Sequence, residues 1–437
     1  MRVAPELAGL VERLLGAKLP IGLRAWDGSR AGAADGPCVV LKSRRALRHV
    51  LWQPGELGLA RAYVTGDLDV DGDLAVGLSR FWSLGARIRP TAKDRLDIVK
   101  LAVRLGVIGP RPRPPVAEAR LSGRLHTRRR DRAAIAHHYD LSNDFYQLLL
   151  DPHMAYSCAY WTSEDVDYRL VDAQTDKLDL ICRKLGLRPG MRLLDVGCGW
   201  GSLVIHAAAN YGVHATGITL SEQQRDYVLS RANGLTVDVR LQDYREITGE
   251  PFDAVSSIEM GEHVGEENYP AYAATLYRLL KPEGRLVLQQ MSRGAVAPGG
   301  GAFIEAYIAP DMTMRPIGST LNHLAAAGFE IRDVEAMREH YVRTCRAWTV
   351  TLEQRWSDVV ALVGVEQARI WRLYLAGGAL AFAGNRMGVD QVTAVRTTVD
   401  GRSGMPAIPG WQRAAEPDGR TQAGSPARLF AFRPPKW

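Results

Sequence analysis

The chain has 437 residues, of which 46% are hydrophobic, 24% charged and 8% aromatic, and its formal net charge is +7. That length suggests about two or three domains, and the apolar share is enough for a sizeable core, which excludes a mainly disordered chain. Forty-three glycines and 23 prolines are near average, excluding collagen-like and low-complexity readings, and five cysteines without a CxxC pair exclude a disulfide scaffold or a zinc ribbon.

In chain order, the first twenty residues read as an amphipathic helix with Leu7, Leu10, Val11, Leu14 and Leu15 on one face. Glu6, Glu12 and Arg13 interrupt the apolar run that a signal peptide needs, so a cytoplasmic protein is expected. The charge is concentrated further on. Arg87 to Arg132 holds 14 Lys/Arg against four acids, about +10, which leaves the remainder near −3. Within it lie GPRPRPP (109–115) and HTRRRDR (126–132), and proline at this density stops helices. A basic linker at 116–132 is therefore expected, between an N-terminal α+β domain (1–115) and a larger domain (133–437). A charge run is commonly a solvated connector. It also suits an anionic membrane surface, where each Lys/Arg contributes roughly 1 kcal/mol. Nucleic acid is the other anionic partner, but the chain has no N/D-P-P-Y/F motif and its basic stretch falls in the linker, so none is expected.

The strongest local signal is Met191-Arg-Leu-Leu-Asp195-Val-Gly197-Cys-Gly199-Trp-Gly201-Ser-Leu. It reads as a buried strand (192–196), a glycine-rich turn and an apolar helix (202–210), an arrangement that lets backbone approach a nucleotide-like ligand. Val196 to Ser221 carries no Asp, Glu, Lys or Arg over 26 residues. Its glycines and turns make it a buried strand–helix–strand unit rather than a membrane span. Strands follow at 214–219, 237–241, 252–258 and 285–291, with helices at 222–232 and 269–280, the latter closed by Lys-Pro-Glu-Gly (281–284). This alternation predicts a doubly wound α/β sheet. Ligands in such sheets sit beyond the carboxyl ends of the strands, which gathers Gly197–Gly201, Thr219, Tyr244, Glu262 and Gln289 around one crevice. Glu259, Glu262 and His263 all follow the strand at 252–258.

The D-x-G-x-G-x-G pattern at 195–201 resembles motif I of class I S-adenosylmethionine-dependent methyltransferases. Three further segments narrow the resemblance: HHYDLSNDFY (137–146) with YSCAYW (156–161), GITLS (217–221) with Gln224, and EMGEHVG (259–265). Together they resemble the cyclopropane-fatty-acyl-phospholipid synthase and mycolic acid methyltransferase family over about 130 to 400. The resemblance implies a class I fold, S-adenosylmethionine as donor and an unsaturated acyl phospholipid as substrate. It implies cofactor contacts from Tyr156, Ser157, Asp195, Gly197, Gly199, Gly201, Thr219, Gln224 and Tyr244. It also implies a bicarbonate ion that takes up a proton, held by Cys158, Glu262, Tyr374 and a histidine. Here Gln289 stands in the histidine's place, and Gln cannot carry charge. His137 and His138 are adjacent, so they do not share a helix face as a metal pair would.

An isolated alkene attacks a sulfonium methyl only when the two are aligned and water is excluded. Cationic carbon then develops, which aromatic faces stabilise, and Tyr139, Tyr156, Tyr160, Trp161 and Tyr307 are the aromatic candidates. Proton loss gives a cyclopropane or, after a hydride shift, a methylene branch. Exposing about 16 acyl methylenes to water costs roughly 13 kcal/mol, so an apolar path is required. Phe303, Ile304, Tyr307 and Ile308 are its expected wall or lid, with Gly299–Gly301 as hinge, or else an ordinary loop packed by its aromatics. Residues 1–115 are expected to dock at the inner membrane face and to support a homodimer. Two other readings stay open: a methyltransferase for another small molecule and a non-catalytic lipid-binding relative.

Overall fold

The computed structural model describes residues 2–85, 91–119, 130, 142–294 and 300–412. Most of the basic linker, His137, His138, Tyr139 and Gly299 lie outside the described residues.

The N-terminal part begins with helix α1 (Val3–Leu15) and strands β1 (Gly22–Arg24), β2 (Arg30–Gly32) and β3 (Cys38–Leu41). Helices α2 (Arg44–Trp52) and α3 (Glu56–Val64), strand β4 (Leu68–Asp71) and helices α4 (Leu74–Gly85) and α5 (Ala92–Arg104) follow. The strands form one sheet in the order β2-β1-β3-β4. The apolar face of the amphipathic α1 packs inward: Val3, Ala4, Ala8 and Leu10 are buried against Ile21, Leu23, Leu41, Leu101 and Leu105, with Leu7, Val11 and Leu14 at the margin. Its apolar stripe is spent on this small core, because a sheet of three- and four-residue strands cannot bury itself.

The larger part holds α6 (Asn143–Leu149), α7 (Leu170–Leu185), β5 (Arg192–Val196), α8 (Ser202–Tyr211), β6 (His214–Thr219), α9 (Glu222–Arg231) and β7 (Val237–Leu241). It continues with β8 (Phe252–Ile258), α10 (Tyr269–Arg278), β9 (Leu280–Ser292), α11 (Ala302–Tyr307), α12 (Ile317–Ala326) and β10 (Glu330–Ala336). Helix α13 (Arg338–Gln354), α14 (Trp356–Ala383) and β11 (Gly388–Val395) complete it. Helix α14 is broken at Gly364, whose φ of 80° no helix accommodates. The sheet order is β10-β11-β9-β8-β5-β6-β7. Strands β5 to β9 are mutually parallel, and β11 runs antiparallel between β9 and β10. This is the class I methyltransferase α/β fold. The charge-free stretch 196–221 is its buried β5–α8–β6 unit, since both faces of a parallel sheet are covered. Lys-Pro-Glu-Gly (281–284) does not end the helix cleanly but forms an irregularity inside β9: the register with β8 shifts between Phe252 and Ala254, and Glu283 takes φ 63°.

The two parts are joined by buried polar contacts. Arg369 of α14 donates to the carbonyls of Tyr63 and Leu68 and to Asp69, with its guanidinium over the Tyr63 ring. Arg61 of α3 donates to Glu118, which also accepts from Tyr307 of α11.

Candidate functional site

Three glycines build the turn after β5. Gly197, Gly199 and Gly201 all have positive φ (83°, 53° and 79°), a region that side chains disfavour. A Cβ on Gly197 would lie 2.7 Å from Met260, and one on Gly201 would lie 2.7 Å from Val228. The turn is anchored by Gly197 and Cys198 N–H groups donating to Ile218 O of β6, at 3.1 and 2.9 Å.

A cleft opens at the carboxyl ends of β5, β6 and β8. Tyr156, Ser157, Asp195, Gly197, Gly199, Thr219, Gln224 and Tyr244 line it, as sequence reasoning expected. Gly201 does not line it but starts α8 behind the turn. Asp195 is buried and accepts from Ser256 Oγ at 2.7 Å, and burial pushes its pKa up to about 6. Thr219 Oγ1 donates to Gln224 Oε1 at 2.7 Å, fixing two side chains on one wall. Lys177 of α7 also lines the cleft. It is 1% exposed, donates to Ser157 Oγ at 2.8 Å, and its pKa is lowered by burial.

The four expected catalytic residues surround the cleft rather than line it. What meets the cleft at their centre is Glu259, which sequence reasoning noted but gave no role. Its Oε1 accepts from the backbone N of Cys158 and from Gln289 Nε2, both at 2.8 Å. Its Oε2 accepts from Tyr341 Oη of α13 at 2.7 Å. Burial pushes the Glu259 pKa up, against these three hydrogen bonds and the charge of Lys177. At φ 51° its backbone is held in the left-handed region, with its N–H donating to Gln289 O at 2.7 Å.

The other three acceptors or donors are placed as follows. The Cys158 thiol points away, toward Ala159 O at 3.3 Å, and burial pushes its pKa well up. Glu262 is fully buried, its Oε1 accepting from Met291 N at 2.6 Å while Oε2 has no partner among the described residues, and burial pushes its pKa up to about 8. Tyr374 Oη accepts from Tyr156 Oη at 3.3 Å. A bicarbonate ion does not fit this arrangement, because Cys158 N–H and Gln289 already hold a carboxylate of the chain itself.

Around Tyr156 and Tyr374 stands a group of aromatic rings. Tyr156 lies 5.5 Å from Trp348 and 5.8 Å from Trp371, Trp371 lies 5.6 Å from Tyr374, and Tyr146 lies 4.3 Å from Trp200, centre to centre. Of the aromatic candidates from sequence that the structure describes, Tyr156 belongs here and Tyr160 packs against the same cluster. Tyr160 donates to Glu335, Trp161 to Thr344 and Tyr307 to Glu118. Trp348 and Trp371 came from helices whose apolar runs gave no sign of which face met Tyr156 and Tyr374. Phe303, Ile304, Tyr307 and Ile308 form neither an exposed lid nor a surface loop: they pack with Ala60 and Val64 of α3 and with Met312, Met314 and Ile370. Met291, Tyr374 and Met387 belong to both this cluster and the aromatic one, so a continuous apolar body runs from the cleft to α3.

Among the described residues no helix is long and apolar enough to cross a membrane, and no group of His, Cys, Asp and Glu could hold a metal ion.

The profile of the mycolic acid cyclopropane synthetase family matches residues 126–392. A Mycobacterium tuberculosis protein named probable fatty acid methyltransferase is 38% identical over 411 residues, covering 90% of this chain and 95% of the relative. The cyclopropane-fatty-acyl-phospholipid synthase of Escherichia coli K12 is 33% identical over 382 residues, covering 85% and 92%. The crystal structure of a mycolic acid cyclopropane synthase complexed with SAH and CTAB superposes with a TM-score of 0.56 at 34% identity, covering 60% of this chain and 97% of that one.

Proposed function

This chain belongs to the mycolic acid cyclopropane synthetase family of S-adenosylmethionine-dependent methyltransferases, and from that premise we propose that it transfers a one-carbon unit from S-adenosylmethionine to the cis double bond of an unsaturated acyl chain of a phospholipid. The observation that carries this reading is Glu259, a carboxylate held by three donors where the cofactor cleft meets an aromatic, water-poor enclosure.

The cleft suits the cofactor. Bare backbone at Gly197 leaves room where a side chain would strike Met260, and the lining brings Asp195 and Glu259 beside Lys177, with Asp243 paired to Arg245. Bound there, S-adenosylmethionine supplies an electrophilic methyl group. Gly197, Gly199, Thr219, Gln224 and Tyr244 hold it, and Tyr156 and Ser157 close the side facing the acyl chain. The apolar body between the aromatic rings and α3 accommodates the chain and excludes water. Once the alkene has taken the methyl group, cationic carbon lies among Tyr156, Trp348, Trp371 and Tyr374, whose faces stabilise it. Glu259 then accepts the proton. Loss from the transferred methyl with ring closure gives a cyclopropane, and loss from it after a hydride shift gives a methylene branch. Glu262, with its pKa near 8, stays protonated at neutral pH and is no base there.

Within residues 1–115, the part expected from sequence to dock at a membrane, we assign the contact to α5. Leu96, Val99 and Val103 are 53%, 49% and 61% exposed at i, i+3 and i+7, beside exposed Lys93, Arg95, Lys100 and Arg104. An apolar stripe edged by cations fits an anionic lipid surface.

The test is to incubate the purified protein with labelled cofactor and oleoyl-phospholipid vesicles in bicarbonate-depleted buffer. The expected product gains one CH2, with ring or branch resolved by mass spectrometry, at a rate unchanged by added bicarbonate. Tight SAH binding with no lipid product overturns the substrate reading. A rate that needs bicarbonate overturns the role given to Glu259.

A further inference from the structure

We propose that Gln391 is a positioning residue for the proton-accepting carboxylate and acts through Gln289. The proposal rests on the reading of Glu259 as that acceptor.

Gln391 lies on β11 directly opposite Gln289 on β9. Both side chains are 0% exposed, so no bulk water can replace a lost partner. A primary amide presents an acceptor on one side and donors on the other, and the shape of Gln289 alone does not choose which side faces Glu259. The neighbour chooses. Gln391 Nε2 donates to Gln289 Oε1 at 3.1 Å, which leaves Gln289 Nε2 to donate to Glu259 Oε1 at 2.8 Å. Turned over, Gln289 would set its oxygen against a carboxylate and its NH2 against the NH2 of Gln391, two repulsive contacts. Gln391, together with the Cys158 carbonyl that accepts from Gln289 Nε2 at 3.4 Å, therefore holds the Gln289 NH2 toward Glu259.

A second observation separates this from ordinary packing. Gln391 Oε1 has no hydrogen-bond partner among the described residues. A buried, unsatisfied carbonyl is costly, and an apolar residue of the same size would avoid the cost. The amide is explained by what its NH2 does, not by what its oxygen does. Glu259 is faced by Lys177 of α7, Tyr341 and Cys345 of α13, Tyr374 of α14, Cys158 and Glu262. A change at Gln391 leaves all of these in place.

The experiment is a double-mutant cycle of Gln391→Met and Gln289→Met, read by the pH dependence of kcat, SAH calorimetry and thermal unfolding. Gln391→Met is expected to lower kcat by up to roughly tenfold at neutral pH, the upper end of what one hydrogen bond between neutral amides contributes. The acid limb should move to higher pH while SAH affinity is unchanged. In the Gln289→Met background the same substitution should have no further effect. An unmoved pH profile, or an equal loss in both backgrounds, overturns the proposal. If Gln391→Met does not fold, Gln391→Ser, polar but too short to reach Gln289, carries the same expectations. Glu259→Gln separates the two readings: full turnover there overturns the proton-acceptor assignment, whereas lost turnover there with an unmoved Gln391→Met overturns only the action of Gln391.

Discussion

Tyr341 Oη donates to Glu259 Oε2 at 2.7 Å, joining a helix after β10 to the turn after β8 across 82 positions of sequence. Neither residue stands out in the chain. Their meeting places a carboxylate beside an aromatic cluster and opposes the upward push that burial gives its pKa.

Removing that donor should weaken the base without removing it. Burial pushes the Glu259 pKa up and Tyr341 opposes this. In Tyr341→Phe the pKa rises further, so less of the ionised form remains at neutral pH. The kcat should fall roughly tenfold and recover partly as pH rises, because a hydrogen bond to a charged group contributes about 1.5–3 kcal/mol. A pH–rate profile checks this, with SAH calorimetry as the control.

Glu262 makes the opposite prediction, for stability. Its pKa in the fold is about 8, against an ordinary 4.5. A carboxyl whose folded pKa is raised favours folding in the protonated form, so its presence costs stability as pH rises from the ordinary value to about 8. Glu262→Gln keeps an acceptor for Met291 N and cannot ionise. Denaturant unfolding at pH 5 and pH 9 should show the two proteins close at the lower pH and the variant more stable at the higher. Equal stability at both would mean that Glu262 is not raised.

The glycine turn should tolerate no side chain. Gly197→Ala must accept φ 83° and a Cβ 2.7 Å from Met260 Cγ. Cofactor affinity, measured by calorimetry with SAH, should fall at least about tenfold, since a strained backbone position costs of order 1–3 kcal/mol.

Arg369 tests how the two parts depend on each other. It is 8% exposed and makes contacts with Tyr63 O, Leu68 O and Asp69. Arg369→Met leaves Asp69 and two carbonyls without this partner, and breaking such a buried ionic contact costs about 3–5 kcal/mol. The melting temperature should drop, with the N-terminal part cut first in limited proteolysis.

The α5 stripe is tested by Leu96→Glu, Val99→Glu and Val103→Glu together. Flotation with anionic vesicles should be lost, while SAH binding, read at a distant cleft, should not change. Retained flotation would remove α5 from the membrane contact.

The β5–Gly-turn–α8 unit was legible because its signals are local. A strand of five apolar-rich residues, glycines where φ must be positive, and a helix beginning at once all lie within twenty residues. The same holds for Thr219, which ends β6, and for Gln224 and Tyr244, which follow just beyond the ends of β6 and β7, where the topology of a parallel sheet puts ligands. The absence of histidine at Gln289 was visible too, but not what replaced it.

What the chain alone determined was the sheet, the cofactor cleft and the kind of chemistry, since these follow from periodicity and from backbone freedom over short spans. Only the tertiary structure decided which carboxylate the buried donors converge on, which rings gather around Tyr156 and Tyr374, and which helix keeps apolar residues outside. Glu259, Gln289, Tyr341 and Gln391 come from four separate elements. Hydrogen bonds among distant buried groups leave no periodic trace, because each residue satisfies its own element's pattern as well as many others would. Likewise α1 and α5 both put apolar residues into the N-terminal core, and only packing settled that α5 also keeps Leu96, Val99 and Val103 outside it.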